Sequence, residues 1–300
     1  MTYYESIMME KYGARYIKYR NIYNRIINNT IVSEKLDFPI ELDVDLRDAC
    51  NLSCCACHSI NRKRSNLLLD RELLLKIADE CKTNGLCAVN FGGCSEPLLD
   101  KAYLIEAIEL FKKASVMDIF IHTNAQLLDE ETSERLIEAG VTYFCVSIDA
   151  YTSETYSKMR GRNLEVVLAN LESFIRIRNS MGGKLPVVRV SFLPTELNYH
   201  EKDSFVEYWE NKVEVVDIQT YNYVENGPKK IEDITQSSNT MSLKLAKNVY
   251  SQKRMSIVAP NLLANDCGAE SVQASIESDC TFNRYASIKE YWNSANEAVK

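Results

Sequence analysis

Ten cysteines stand in this 300-residue chain, and four of them crowd into one stretch, Cys50-Asn-Leu-Ser-Cys54-Cys55-Ala-Cys57-His58. Cys50, Cys54 and Cys57 have C-x3-C-x2-C spacing. A loop of that length can wrap three thiolates around one face of a cubane iron–sulfur cluster, leaving the fourth iron open to a chelating substrate or cofactor. Cys55 fits neither gap, and His58 lies beside the thiols. The competing chemistry is a zinc site built from these thiols and His58. Zinc sites usually take paired C-x2-C units from two places in a chain, and no second pair is visible. A disulfide framework is not expected. The N-terminus, MTYYESIMMEKYGARYIKYR, has no apolar signal core, so the thiols belong in a reducing, cytoplasmic compartment.

The elements that must position this loop follow from the rest of the pattern. With 46% hydrophobic and 26% charged residues the chain is globular in composition. A net charge of −7 argues against a general nucleic-acid binder, and no apolar run reaches the roughly 18–20 residues of a membrane span. Glu41-Leu-Asp-Val-Asp-Leu46 alternates as a strand does, and the cysteine loop follows it directly. Helical stretches over 68–83, 101–114, 130–139, 163–180 and 200–211 then alternate with strands over 86–91, 117–121, 142–148, 186–193 and 213–221. About six such rounds predict a parallel sheet with helical crossovers, either doubly wound or an open partial barrel. No G-x-G-x-x-G follows the first strand, which weakens a dinucleotide-binding reading. Tyr12, Tyr16, Tyr19 and Tyr23 recur at helical spacing and predict one helix over 5–30, packed on the main domain rather than on a membrane. After Pro228 the rhythm breaks. The expected units are an N-terminal helical segment (1–39), a main domain (40–227) and a C-terminal extension (228–300) with a last helix around 287–296.

On these residues the chain resembles the radical S-adenosylmethionine (SAM) enzymes. The cysteine triad follows the first strand, as in that family. The second strand runs into Phe91-Gly-Gly-Cys-Ser-Glu-Pro-Leu-Leu99, similar to the family's G-G-G-E-P-L loop with Cys94 and Ser95 in glycine positions. His122-Thr123-Asn124-Ala125 resembles the T-N-G that ends a fourth strand, and Val146-Ser147-Ile148-Asp149-Ala150 resembles the S-L-D-G of a fifth. Arg160, or alternatively Arg162, falls where the family often places an arginine on the SAM carboxylate. The resemblance covers about residues 40–225.

It implies an α/β fold, a partial (β/α)6 barrel of radical SAM type with an N-terminal helix and a small C-terminal extension. It implies a [4Fe-4S] cluster on Cys50, Cys54 and Cys57. SAM would be held by Gly92, Gly93, Ser95, Glu96, Thr123, Asn124, Ser147, Asp149 and Arg160; Ser147 and Asp149, two apart, are expected on one side of a strand. The implied chemistry is reductive cleavage of SAM and removal of a hydrogen atom from an unactivated C–H bond, with electrons from a flavodoxin- or ferredoxin-type reductant. Residues 286–294 resemble the end of a SPASM or twitch extension. Only Cys267 and Cys280 follow residue 225, however, so an auxiliary iron–sulfur cluster is not expected. Cys94, Cys267 and Cys280 are then candidate hydrogen-atom donors for an epimerisation or rearrangement, beside dehydrogenation. The expected substrate is a sugar, an aminocyclitol or another small molecule or glycan, because the N-terminal 40 residues resemble a helix rather than a leader-binding domain. A peptide-modifying (RiPP) maturase is the alternative, and a zinc-binding or non-catalytic interaction protein is the reading from another class.

Overall fold

A computed structural model describes residues 1–27, 36–219, 227–229, 254–259, 261–264, 281 and 285–297. Six strands carry the barrel: β1 (Glu41–Asp45), β2 (Ala88–Phe91), β3 (Asp118–Thr123), β4 (Tyr143–Ser147), β5 (Val187–Phe192) and β6 (Val215–Ile218). Each pairs with the next in parallel. β7 (Arg254–Val258) adds in parallel to the free edge of β1, and β8 (Leu262–Ala264) closes that side antiparallel to β7. The sheet order is β6-β5-β4-β3-β2-β1-β7-β8. Helices α1 (Tyr3–Tyr12) and α2 (Ala14–Ile27) precede the sheet. The crossovers carry α3 (Arg71–Asn84), α4 (Lys101–Lys113), α5 (Glu130–Ala139), α6 (Ser153–Arg160), α7 (Leu164–Ser180) and α8 (Lys202–Trp209), and α9 (Ile288–Glu297) comes last. This is the α/β partial barrel expected from the sequence.

The strands alternate because their two faces meet different surroundings. Leu42, Val44, Val89, Phe91, Ile119, Ile121, Phe144, Val146, Val188 and Val190 are buried in one apolar cluster with the crossover helices. The intervening residues turn to the other face and are mostly polar: Glu41, Asp43 and Asp45 on β1, Asn90 on β2, Ser191 on β5, all buried. The helices start and stop where local chemistry dictates. Asp70 accepts from Leu73 N (3.0 Å) at the start of α3, and Asp129 accepts from Thr132 N (2.8 Å) at the start of α5. Gly85 and Gly140, both left-handed, end these two helices.

Three expectations need correction. The single helix over 5–30 is two helices, because Gly13 (φ 55°) breaks it. Thr2 opens α1 with a reciprocal capping box to Glu5. The stretch between the fourth strand and the long helix also holds a helix of its own, α6, capped by Thr152 and ended by Gly161. The strand-end motifs lie one strand earlier than the family order placed them. Only β2 separates the cysteine loop from β3, so His122 and Thr123 close β3 and Ser147 closes β4.

The tyrosine stripe packs against the main domain, at the ends where the strands begin. Tyr4, Ile7, Met8, Tyr16, Tyr19 and Ile26 bury themselves against Ile40, Ala88, Met117 and Val187. Tyr19 donates to Glu41 (2.7 Å), and Tyr4 donates to Asp118 and to Thr142 (3.0 Å). The carboxylates at the foot of the barrel are thus capped by phenols. At the other edge, Met255 and Ile257 of β7 are fully buried against β1. Residues assigned by sequence to the extension 228–300 therefore supply strands to the main sheet. The final helix, expected around 287–296, is α9. Its Trp292 donates to the Leu36 carbonyl (2.8 Å), and its first amides donate to Glu80 of α3. Among the described residues no helix is long and apolar enough to cross a membrane.

Candidate functional site

The loops that leave the carboxyl ends of β1 to β6 surround a cavity of about 240 Å³. Its first wall is the cysteine loop. Asp48 stitches both ends of that loop together: its carboxylate accepts from Ser65 N (2.7 Å) and pairs with Arg62 (2.5 Å), while its backbone exchanges hydrogen bonds with Asn66 and Leu67. Within the loop, Cys57 N donates to Cys54 O (3.1 Å) and Cys55 N to Met159 O (3.1 Å). Cys50, Cys54 and Cys57 all face the cavity, whereas Cys55 turns to Met159 instead. None of the eight cysteines among the described residues forms a disulfide.

The second wall is the glycine loop after β2. Gly92 has φ 92°, and a Cβ there would lie 2.1 Å from the His122 carbonyl oxygen and 2.9 Å from Pro97 Cδ, so no other residue fits. The Ser95 hydroxyl and the Cys94 amide both bond to Asp45 at the end of β1 (2.5 and 3.2 Å). Burial pushes the Asp45 carboxyl up, against the opposing pull of Ser95 and Cys94. Glu96 is buried and accepts from Thr123 Oγ1 (2.6 Å), Leu98 N (3.0 Å) and Asn124 N (2.8 Å). It thereby ties the loop to the end of β3, and burial raises its carboxyl pKa in spite of these bonds. Asn124 in turn donates to Asn51 (2.8 Å) of the cysteine loop.

The third wall comes from β4 and α6. Ser147 and Asp149 both line the cavity, but not as two residues of one strand. β4 ends at Ser147, and Asp149 sits beyond it in a left-handed turn (φ 63°) with its amide on Ser191 O (3.2 Å). Arg160, the last residue of α6, pairs with Asp149 and directs Nη1 to Cys54 Sγ at 3.6 Å. Arg162, the alternative arginine, instead reaches Asn51 O (3.3 Å).

The predicted site residues among those described, Cys50, Cys54, Cys57, Gly92 to Glu96, Thr123, Asn124, Ser147, Asp149 and Arg160, therefore meet around one cavity. Cys267 and Cys280 lie outside the described residues. Sequence reasoning missed Asp45 and Asn198. Asp45 belongs to a strand that reads as simple alternation. Asn198, which holds Asp149 O (2.8 Å) and Leu193 O (2.9 Å), carries no motif at all.

The donor set suits an iron–sulfur cluster. Burial pushes the Cys50 thiol up to about 11 and raises that of Cys54, so a buried group of thiolates needs positive charge beside it. Two of the sulfurs already receive N–H donors, Cys54 from Arg160 and Cys57 from Ser59 N (3.4 Å). Among the described residues no group of three or more His, Cys, Asp or Glu side chains is gathered closely enough to hold a metal ion as they stand. The buried Arg160 Nε also has no hydrogen-bond partner among them.

Residues 46–189 match the family model of the radical SAM superfamily. A "Probable GTP 3′,8-cyclase" of Saccharolobus islandicus is 29% identical over 175 residues, covering 58% of this chain and 54% of the relative. Its namesake in Methanococcus maripaludis is 30% identical over 161 residues, covering 53% and 51%. The chain thus spans about half the length of the curated relatives it matches. Among solved structures, SuiB of Streptococcus suis bound to S-adenosylmethionine superposes with a TM-score of 0.61 at 20% identity, covering 78% of this chain and 61% of that one. At such identity the likeness bears on the fold alone. The superfamily binds a [4Fe-4S] cluster and SAM. Over this matched segment, just under half of its length, the chain is similar to the radical SAM superfamily.

Proposed function

We propose that this chain is a radical SAM enzyme whose Cys50, Cys54 and Cys57 hold the [4Fe-4S] cluster, and whose glycine loop and strand ends hold SAM. The observation that carries the reading is the meeting of these residues around one cavity at the carboxyl ends of the strands. When bound, the cluster and SAM supply reductive cleavage of SAM and abstraction of a substrate hydrogen atom. The chain's own residues bind, orient and exclude water. Asp45 and Glu96 hold the glycine loop between β1 and β3, so its backbone is preorganised toward the SAM amino group. Thr123, Asn124 and Ser147 present polar atoms from two strand ends.

Cys94 is the described thiol best placed to return a hydrogen atom to a substrate radical. It is only 4% exposed, lines the cavity, and its Sγ lies 3.8 Å from His58 Nε2. This favours epimerisation or rearrangement of a small molecule. A flavodoxin- or ferredoxin-type carrier would supply the electron. A nucleotide substrate is the second reading, favoured by the names of the curated relatives and by Arg64 in the cavity wall.

The test is anaerobic reconstitution with iron and sulfide counts, followed by assay of 5′-deoxyadenosine with and without GTP. About four irons per chain, lost in Cys54→Ala, and SAM cleavage under strong reductant are expected. One zinc without sulfide would overturn the reading. A GTP-dependent product would move the substrate assignment to the nucleotide.

A further inference from the structure

The family resemblance assigns Arg160 to the SAM carboxylate, but the geometry around it points elsewhere. Its side chain is 14% exposed, and two of its three nitrogens are committed inside the protein. Nη2 donates to Asp149 and Nη1 lies 3.6 Å from Cys54 Sγ. Asp149 is not free to move with it. Its Oδ1 accepts from Leu193 N (2.7 Å), its carbonyl accepts from Asn198 Nδ2 (2.8 Å), and its backbone is left-handed, a conformation a non-glycine residue keeps only when its surroundings impose it. Asn198 is itself fully buried and anchored on the Leu193 carbonyl (2.9 Å) beyond β5. A rigid relay therefore runs from the exit of β5 through Asn198 and Asp149 to the guanidinium, and ends on one sulfur of the cysteine loop.

We propose that Arg160 is a positioning residue for Cys54 that raises the reduction potential of the cluster held there. The inference rests on the ligand assignment proposed above. Reduction adds one electron, taken from an external one-electron carrier, to a cluster whose charge is spread over its thiolate sulfurs. A directed N–H donor and a cation beside one of those sulfurs stabilise the more negative, reduced form. Hydrogen bonds to the sulfurs are among the factors that set such potentials. The Asp149 partner reduces the long-range effect of the cation but fixes the aim of Nη1, so the directed hydrogen bond carries most of the influence. Nε is buried and without a hydrogen-bond partner among the described residues.

The test uses reconstituted full-length protein without SAM. Its reduction potential is measured by EPR-monitored titration in wild type, Arg160→Gln, Arg160→Lys and Asn198→Ser, together with iron content and SAM affinity. The expected result is a negative shift in Arg160→Gln at unchanged iron content. A smaller shift of the same sign is expected in Asn198→Ser, which loosens the relay without touching the guanidinium. An unchanged SAM-free potential with weakened SAM affinity would return Arg160 to the carboxylate and overturn the proposal. Should Arg160→Gln fail to fold or load, Arg160→Lys and Asn198→Ser decide, and an unmoved potential in both counts against it. Failure of the wild type to assemble a four-iron cluster would instead defeat the ligand assignment.

Discussion

Asp118 offers a quantitative handle on how the N-terminal helices seal the barrel. Its carboxyl lies at the start of β3, fully buried, with Tyr4 and Thr142 donating to one oxygen and no hydrogen-bond partner for the other among the described residues. Tyr16, Glu41 and Arg20 also act on this site. Burial is the largest influence and pushes the Asp118 pKa from 3.8 up to about 7, against the pull of its two donors. When α1 and α2 lift away, water reaches the carboxyl and its pKa returns toward the lower value. A folded pKa above the unfolded one stabilises docking fully below 3.8, and that stabilisation is lost as the pH rises through about 7. The whole window is worth about 4 kcal/mol at about 1.4 kcal/mol per pKa unit. From pH 6 to pH 8 the linkage predicts about a tenfold rise in the open population. Hydrogen exchange of residues 3–27, corrected for the intrinsic pH dependence, measures that population. Asp118→Asn keeps an acceptor for Tyr4 but cannot ionise, so its open population stays level across the same range. A wild-type population that does not change from pH 6 to pH 8, or a variant that changes as the wild type does, refutes the reasoning.

Two further outcomes are expected. Gly92→Ala drives a methyl group into the His122 carbonyl at a left-handed position, costing about 1–3 kcal/mol or more from overpacking; thermal melting falls and SAM affinity falls with it, and an unchanged affinity would count against a loop held tightly for the cofactor. Cys94→Ala keeps the iron content and the formation of 5′-deoxyadenosine but abolishes incorporation of solvent deuterium into product; retained deuterium would remove Cys94 as the hydrogen-atom donor.

The barrel was legible because its two periods are clean. Glu41, Asp43 and Asp45 alternate with Leu42 and Val44, and the crossover helices carry caps at both ends, so strand and helix separate by pattern alone. The errors come from places where local and global signals disagree. Gly13 sits inside a continuous run of helix formers, and only its positive φ turns one helix into two. α6 was missed because eight residues with few apolar positions resemble a loop, although Thr152 and Gly161 mark its ends. β7 is the clearest case of a long-range cause. Arg254-Met-Ser-Ile-Val258 alternates, but it follows a polar stretch, and what makes it a strand is the edge of β1, two hundred residues earlier, whose backbone groups need a partner.

The site divides along the same line. Spacing along the chain can name a thiol triad, a glycine loop and two strand ends, because each is local. It cannot say which polar atoms are already occupied. Glu96, expected to reach a cofactor amine, accepts three hydrogen bonds from its own protein, and Ser95, expected to do the same, gives its hydroxyl to Asp45. Under the proposed assignment both would act on a bound cofactor by fixing the loop, and their loss would disturb the position of its backbone atoms. Arg160 reverses the pattern. Its type and place suggested a carboxylate, yet its nearest sulfur belongs to the cysteine loop. The acid at 149 and the cation at 160 neutralise each other, so the cavity gains direction from them rather than net charge.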